Sequence, residues 1–532
     1  MVWGVVVLLS LAVNALDVPL WIDVAFCLLG ACYMVYAWRR GGRRPVSALS
    51  CAVCIIAAFA MGFGLYLGQR VDYYLYRRCS FALMLPVCAY CWLLFFTLSR
   101  DAGLFSRALE NGRRKPRPAD WLLLALFLLV ILLSLYMKEY PHIETPDTIN
   151  QWDQIHGAIS YHKIHSIGHT IFLKALLSLW DDYRFVIAVH VLGVIGLYLL
   201  FASWFCAKGI PVKTVALAEG LCLLWTHSAS KEIFSPAKDL PAALCLGLVT
   251  FFLLRLQDKD RLSGGEAFAL GLALAWAALF RMNGIIAAGV CGLYVLVCLW
   301  RRSLFRPICS LLLAVVLSAA GVKSYTDLVL KPREFENGFA VQVFASGIAS
   351  VAVHDELSPE EEAAVSELLS VDWMKDTYIN SLYKQRMIWV PDGSERIAAN
   401  PNLEVFNNDF VLALGANRKA VVLLYLKLLP HHLPLMVKDF LGSIKLIWAI
   451  DKPSLTSNQV FLTALVLVLA LRLRLKMKDL LIFLPCFCNV LSICISTITN
   501  EIRYLLPSFL LLPFFLLYFL WKSASVETVE ST

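Results

Sequence analysis

Ionisable side chains are densest in the stretch from Tyr136 to Trp180, the first long polar insert after several apolar segments. The insert carries the following acids and histidines: Glu139, Glu144, Asp147, Asp153, His156, His162, His165 and His169. A charge placed in hydrocarbon costs at least a few kcal/mol. The insert is therefore predicted to lie outside the hydrocarbon, and its side chains are the first candidates for chemistry.

Asp147 is the strongest candidate for a catalytic group. It follows Pro146 in a turn context that leaves the carboxylate free, and Glu144 and Asp153 are close in sequence. A carboxylate at a membrane surface can act as a general base toward a hydroxyl, or it can bind a divalent cation that holds a phosphate. The simpler alternative is a solvated loop acid, or a cap for the helix that begins at TINQW.

His165 and His169 are four residues apart where the chain becomes helical, so both can face one direction. Zinc is disfavoured because no third ligand has a matching spacing. Hydrogen bonding to a phosphate or a sugar is favoured over zinc, and a structural role at the interface is favoured over both. The identity of any bound metal stays open.

Further charged residues stand at breaks between apolar runs. Lys231, Lys238 and Asp239 bracket Pro236, and a broken helix at membrane depth is tolerated where it lines a cavity. A helix start there would offer free N–H groups to an anion, although a lysine that snorkels to the interface is an equal alternative.

Two arginines occupy similar positions at other breaks. Arg281 precedes Asn283, and Arg503 lies between Glu501 and Tyr504. Arginines tend to gather on the cytoplasmic side, whereas the topology derived below places these two outside. Arg503 is therefore favoured as a clamp for a phosphate group.

The composition is that of a membrane protein. Of the 532 residues, 59% are hydrophobic and 16% are charged, against roughly 25% charged in soluble domains. At about 20 apolar residues per span, we predict an all-α polytopic membrane protein with about fourteen transmembrane helices, whose extracytoplasmic loops carry short helices. The net charge is +8, but Lys and Arg sit in short clusters between apolar runs, so no nucleic-acid partner is expected.

The predicted spans lie near 3–16, 20–38, 46–68, 79–98, 120–137, 183–206, 211–229, 236–255, 265–280, 283–300, 306–323, 458–472, 479–498 and 503–521. A further apolar region, 420–450, contains prolines, lysines and histidines and is predicted to form interfacial helices or a hairpin of two spans. One soluble helix is predicted to begin at Ser358, which can cap it. Its first acidic residues, Glu360, Glu361 and Glu362, are predicted to be solvated.

The topology follows from the clusters of Lys and Arg, which are predicted to be cytoplasmic. They place both termini inside and five segments outside: the 136–180 insert, the turns at Lys238, Arg281 and Arg503, and the region from Ser324 to about Asp451. No cytoplasmic segment exceeds about twenty residues, which is too short for a nucleotide-binding βαβ repeat. A fuel-driven pump and a soluble-type nucleotide-sugar enzyme are therefore disfavoured.

The order of these motifs resembles the GT-C glycosyltransferases, polytopic enzymes that take a sugar from a polyprenyl-phosphate carrier. The resemblance covers roughly Trp121 to Trp521 and rests on TPDTINQWDQIHG followed by HSIGHTIF, on KD at a broken helix, on RMNG at a span start and on EIRYLLP before the last span. It is closest to a group of bacterial multi-pass proteins of that superfamily. Many relatives carry two adjacent acids in the first outer loop, whereas Asp147 stands alone here.

The resemblance implies a division of the chain. An N-terminal four-helix membrane module would occupy 1–119, and a GT-C-like membrane core would occupy 120–323, with its catalytic outer loop at 138–182. An extracytoplasmic or interfacial region would occupy 324–457. The C-terminal membrane helices and a short cytoplasmic tail would occupy 458–532.

The expected function is transfer of a sugar from a polyprenyl-phosphate donor to a glycan or lipid acceptor on the extracytoplasmic face of a bacterial plasma membrane, in modification of the cell envelope. The resemblance implies that Asp147 is catalytic. Residues expected to bind the substrate or its phosphate are Lys238, Asp239, Arg281, Arg503, Tyr504, His165, His169, Glu144 and Asp153. Membrane lipids are further expected partners, and a divalent cation is kept open. Alternatives are a polymerase or ligase for lipid-linked glycans, a transporter or flippase, and a non-catalytic assembly scaffold.

Overall fold

The structure is a computed structural model that describes residues 116–162, 165–332, 341–368, 417–443, 459–473, 475–496 and 502–530, with isolated positions between 34 and 93. The described residues contain helices and no β-strand. The predicted spans 3–16, 20–38, 46–68 and 79–98, and with them the predicted module 1–119, lie almost entirely outside this part of the chain.

Sixteen helices of eight or more residues are described and numbered here along the chain. They are α1 (Pro118–Glu139), α2 (Pro146–Ile155), α3 (Ile167–Leu177), α4 (Tyr183–Ala207), α5 (Val212–Trp225), α6 (Asp239–Lys259), α7 (Gly264–Phe280), α8 (Gly284–Arg301), α9 (Phe305–Tyr325), α10 (Gln342–His354), α11 (Pro359–Ser366), α12 (Arg418–Leu428), α13 (Leu433–Ser443), α14 (Gln459–Arg472), α15 (Leu484–Ser496) and α16 (Leu512–Glu530). Short helical turns precede α6 at Lys231–Phe234 and α16 at Ile502–Leu505.

Seven helical segments among the described residues are long and apolar enough to cross a membrane. They are Pro118–Glu139, Tyr183–Ala207, Asp239–Lys259, Gly284–Arg301, Phe305–Leu330, Met477–Ile495 and Ile502–Lys522. The chain is thus a polytopic membrane protein whose described part is all-helical, and the total of fourteen spans stays a prediction.

Two predicted spans correspond to helices below the roughly 20 residues that a perpendicular span needs. The segment predicted at 211–229 ends as α5 at Trp225, after 14 residues. The segment predicted at 265–280 forms α7, which has 17 residues.

The helices pack through small residues where their backbones approach closely. Gly271 of α7 faces α9 so tightly that a Cβ atom there would lie 2.5 Å from the carbonyl oxygen of Leu311. Small residues at helix contacts allow such an approach in membrane bundles. The close contact holds α7 against α9 and so fixes the position of the C-terminal end of α7.

The bundle has two chemically different ends. Helix α6 spans about 30 Å at 1.5 Å per residue. Asp239 begins it at what we call the site end, and Asp258 lies near its other end, which we call the distal end. At the distal end Lys208 pairs with Asp258, and Arg302 Nη2 lies 2.7 Å from Asp260 Oδ1.

Helices α10 to α13 form a separate hydrophobic cluster. Two of them, α12 and α13, overlap the apolar region predicted at 420–450, and α12 has 11 residues, too few for a span. Helix α11 has the predicted cap: Ser358 Oγ accepts a hydrogen bond from Glu361 N. One prediction here is wrong, because Glu361 is buried rather than solvated and lies 2.9 Å from His431 Nδ1.

Candidate functional site

A capped helix start presents Asp147. Thr145 Oγ1 accepts a hydrogen bond from Thr148 N, and Thr145 N donates to Thr148 Oγ1, so these two threonines form the N-terminal cap of α2. Pro146 supplies the first helical residue, where no N–H donor is needed. Because Thr145 is the cap, the Asp147 carboxylate is not used for capping and lies in the first turn, where the helix dipole favours a negative charge.

Tyr183 holds this short helix against the membrane bundle. Its hydroxyl donates to the carbonyl of Thr148 at 2.7 Å. A second link comes from the backbone, where Ile143 N donates to the carbonyl of Phe234, in the helical turn that precedes α6. The polar insert is thereby fixed to the break at which Lys238 and Asp239 stand.

The structure brings Asp147 together with basic side chains from distant parts of the chain. Lys238 Nζ donates to Asp147 Oδ2 at 3.0 Å, and Arg503 Nη2 lies 3.7 Å from the same oxygen. His165 Nδ1 lies 4.0 Å from Asp147 Oδ1. Helices separated by hundreds of residues in the chain thus contribute to one group of charges.

A second carboxylate lies deeper in this group. Asp239, whose side chain is 2% exposed, pairs with Arg281 at the end of α7. Its Oδ2 lies 3.8 Å from Arg503 Nε, so Arg503 stands between the two carboxylates. We refer to Asp147, Lys238, Asp239, Arg281 and Arg503 as the charge cluster.

Tyr504 stacks against both arginines of the charge cluster. Its ring centroid lies 4.6 Å from Arg281 Cζ and 5.4 Å from Arg503 Cζ, distances at which a guanidinium is attracted to an aromatic face. The backbone carbonyl of Tyr504 accepts a hydrogen bond from Asn489 Nδ2 at 3.0 Å. The turn Ile502–Leu505 is therefore held from two sides, and the guanidinium planes are oriented with it.

The charges around Asp147 control its ionisation. Burial acts to raise the pKa of its carboxyl group, but the positive charges of Lys238 and Arg503 and the hydrogen bond from Lys238 outweigh burial and hold that pKa well below its usual range. Burial, with the charge of Lys238, lowers the pKa of His165 to about 4. At neutral pH the cluster therefore contains an ionised Asp147 beside a neutral imidazole.

Two buried glutamines complete the site and were missed in the sequence. Gln151 Oε1 lies 3.0 Å from His169 Nδ1, while Gln151 Nε2 donates to Thr170 Oγ1 at 3.0 Å. Gln154 Nε2 lies 3.2 Å from His162 Nε2. The signal was present, because Asp147, Gln151 and Gln154 follow the i, i+4, i+7 spacing of one helix face.

His169 therefore supports α2 and α3 instead of facing the cluster directly. It is fully buried, it is held by Gln151, and its ring lies 6.2 Å from that of Phe280 in an edge-on arrangement. Ser166, between the two histidines, donates a hydrogen bond to the carbonyl of Phe280, which precedes Arg281. These contacts fix the end of α7 and its arginine relative to His165.

Two predicted site residues lie apart from the charge cluster. Glu144 has a side chain that is 65% exposed, with His142 Nε2 at 3.4 Å. Asp153 is half-buried on another face of α2. Among the contacts of the described residues, none joins Glu144 or Asp153 to the cluster.

The residues present do not fit a resident divalent cation. Asp147 and Asp239 each already face cationic side chains, and no group of three or more His, Cys, Asp or Glu among the described residues is arranged to hold a metal ion. A divalent cation would be placed next to three positive side chains, which repel it. The charge cluster is instead suited to an anion.

Charge and exposure indicate how an anion would reach the cluster. Three cations and two carboxylates leave one net positive charge. The outer pair is accessible, since the side chains of Asp147 and Lys238 are 25% and 19% exposed, whereas that of Arg503 is only 4% exposed. Apolar side chains that are close to Asp147 or Arg281 in the sequence are exposed as well: Ile149, Met282 and Ile285.

The depressed pKa of His165 predicts a pH-dependent stability. An unfolded chain takes up the proton near pH 6.5, whereas the folded chain does so only near pH 4, so stability is fully present above 6.5 and is lost as the pH falls toward 4. The difference corresponds to roughly 3 kcal/mol. We expect the melting temperature of His165→Gln to fall less than that of the wild type between pH 7 and pH 4. Equal falls would contradict the burial of an uncharged His165.

No family model, curated protein or solved structure matches the chain.

Proposed function

We propose that the protein is a glycosyltransferase that moves a sugar from a polyprenyl-phosphate donor to an acceptor hydroxyl. The observation that carries this proposal is the charge cluster itself, a single partly exposed carboxylate within reach of Lys238 and Arg503. Exposed apolar side chains close to the cluster residues in sequence support a lipid-linked donor. The predicted topology, in which the site end faces away from the cytosol, is part of the proposal.

The reaction gives each group a role. The acceptor oxygen attacks the anomeric carbon, Asp147 takes the hydroxyl proton, and the bond from that carbon to the phosphate oxygen breaks with its electron pair left on the phosphate. The donor phosphodiester carries one negative charge, while the released phosphomonoester carries about 1.5 to 2. Lys238 and Arg503 stabilise the charge that develops, and direct attack inverts the anomeric centre.

The buried part of the cluster serves to orient these groups. Asp239 pairs with Arg281 and lies near Arg503, so the guanidinium of Arg503 is fixed before the substrate binds. Donors that are already oriented toward the developing charge need no reorganisation during the reaction. The aromatic ring of Tyr504 adds a cation–π contact to each of the two guanidinium groups.

The test is turnover of defined donors. Purified protein in lipid nanodiscs is given a panel of polyprenyl-phosphate-linked sugars with an extract of envelope glycans and lipids as acceptors, and loss of donor is measured. We expect at least one donor to be consumed, and Lys238→Ala to slow its consumption by roughly 10²–10³-fold. Lys231→Ala, an exposed lysine seven residues earlier, is the matched control and should match the wild type.

Other outcomes separate the alternative functions. Consumption of pyrophosphate-linked donors alone would indicate a polymerase or ligase of lipid-linked glycans. Movement of an intact donor across the bilayer of proteoliposomes, with no bond broken, would indicate a flippase. Either result would overturn the proposed transfer reaction.

A further inference from the structure

Asp147 occupies the position in which the proposed reaction needs the phosphate of the donor. Its Oδ2 accepts a hydrogen bond from Lys238 Nζ at 3.0 Å and lies 3.7 Å from Arg503 Nη2. These are the two cluster cations within 4 Å of Asp147, whereas Arg281 is paired with the buried Asp239. A phosphate that binds the same two cations must compete with the carboxylate.

The same contacts weaken Asp147 as a base. A carboxylate that lies between a lysine and an arginine binds a proton poorly, as its depressed pKa indicates. A general base works best when its pKa lies near the working pH. In the arrangement described, the group that must accept the proton is therefore held in its least basic state.

The two carboxylates differ in how firmly they are held. Asp239 is 2% exposed and is fixed at the start of α6 by Arg281. Asp147 is 25% exposed and stands in the first turn of α2, a helix of only 10 residues. Of the two, Asp147 is the one whose side chain can leave its cationic partners without opening the bundle.

We propose that Asp147 is a stand-in anion, which the donor phosphate displaces from Lys238 and Arg503 so that the released carboxylate can turn to the acceptor hydroxyl. This inference rests on the proposed function and adds the order of events at the site. The incoming phosphodiester carries one negative charge and replaces one negative charge, so the cluster keeps its charge balance when the donor binds.

The exchange also serves product release. Transfer leaves a phosphomonoester on the cations and a proton on Asp147. Once Asp147 passes that proton to water, its carboxylate competes again for Lys238 and Arg503. The return of the Asp147 carboxylate to Lys238 and Arg503 therefore favours release of the phosphate product.

The experiment measures binding of polyprenyl phosphate, the carrier without its sugar. Its dissociation constant is determined for the wild type, Asp147→Asn and Asp147→Ser in nanodiscs at low ionic strength. A neutral side chain no longer competes for the cations, so we expect both variants to bind the carrier roughly tenfold more tightly, although neither can act as a base. Asp181→Asn, which changes an exposed acid directly after the insert, should bind as the wild type does.

Each outcome decides a different point. Equal or weaker binding by folded Asp147→Asn and Asp147→Ser, with binding by the wild type intact, overturns the displacement while the proposed function stands. Failure of every protein to bind polyprenyl phosphate overturns both. Inorganic phosphate is tested in parallel, and if it binds as tightly as the lipid, the ligand is a free phosphate and the carrier assignment is wrong.

Discussion

Replacing Asp147 with asparagine should reduce turnover of the polyprenyl-phosphate donor by about 10²–10⁴-fold, the range that one positioned proton acceptor contributes. Asparagine keeps the shape of the side chain and its place in the first turn of α2, but its amide cannot accept the proton of the acceptor hydroxyl. The measurement is kcat with a saturating donor, alongside a thermal unfolding curve that checks that the variant is folded.

Two features make this result specific to the site. Asp181→Asn removes an exposed carboxylate directly after the insert and should leave kcat within about twofold, since surface pairs contribute little. Tighter carrier binding together with the loss of kcat would separate the two roles of Asp147. A folded Asp147→Asn protein with wild-type kcat would remove this residue from the mechanism.

Replacing Asp239 with asparagine should lower the free energy of unfolding by about 3–5 kcal/mol, more than any other substitution named above. Asp239 is the counter-charge of buried Arg281 and lies 3.8 Å from Arg503 Nε. Without it, two guanidinium groups stay buried with too little negative charge near them. The measurement is the apparent melting temperature of the purified protein in detergent.

The bundle contains a matched control for this substitution. Asp260 at the distal end pairs with Arg302, which is also 42 residues further along the chain, but the Asp260 side chain is 78% exposed. Asp260 has a positive φ of 56°, a conformation that asparagine adopts readily. Asp260→Asn should therefore change the free energy of unfolding by at most about 1 kcal/mol. Equal shifts for the two variants would contradict the importance of burial at the site end.

The sequence predicted much of the charge cluster because charged residues beside apolar spans are costly and therefore informative. Lys238, Asp239, Arg281 and Arg503 all stand at helix ends, as expected. Lys238 and Arg503 lie within 4 Å of Asp147, and Asp239 links Arg281 to Arg503. The count of charges could not reveal which acid pairs with which base. Glu144 and Asp153 looked equivalent to each other in sequence, and neither one contacts the cluster. Asp153 lies on another face of α2, and Glu144 precedes that helix with its side chain exposed.

Uncharged polar residues were the main omission. Gln151 and Asn489 hold the site through hydrogen bonds, and both are buried. Hydropathy gives such residues little weight, although a buried amide must find partners. The span predicted at 211–229 was too long for a related reason: the apolar run continues past the end of the helix at Trp225, a break that only tertiary contacts reveal. Glu361 shows the same effect, since its partner His431 is 70 residues away.

The separation in sequence between Arg503 and the rest of the charge cluster has a consequence for biogenesis. Asp147, Lys238, Asp239 and Arg281 leave the ribosome well before Arg503. Until Arg503 is synthesised, the two acids and two bases already present cancel each other, so the nascent protein has no net attraction for an anion at this position. The excess positive charge of the cluster is thus acquired only when Arg503 has been inserted.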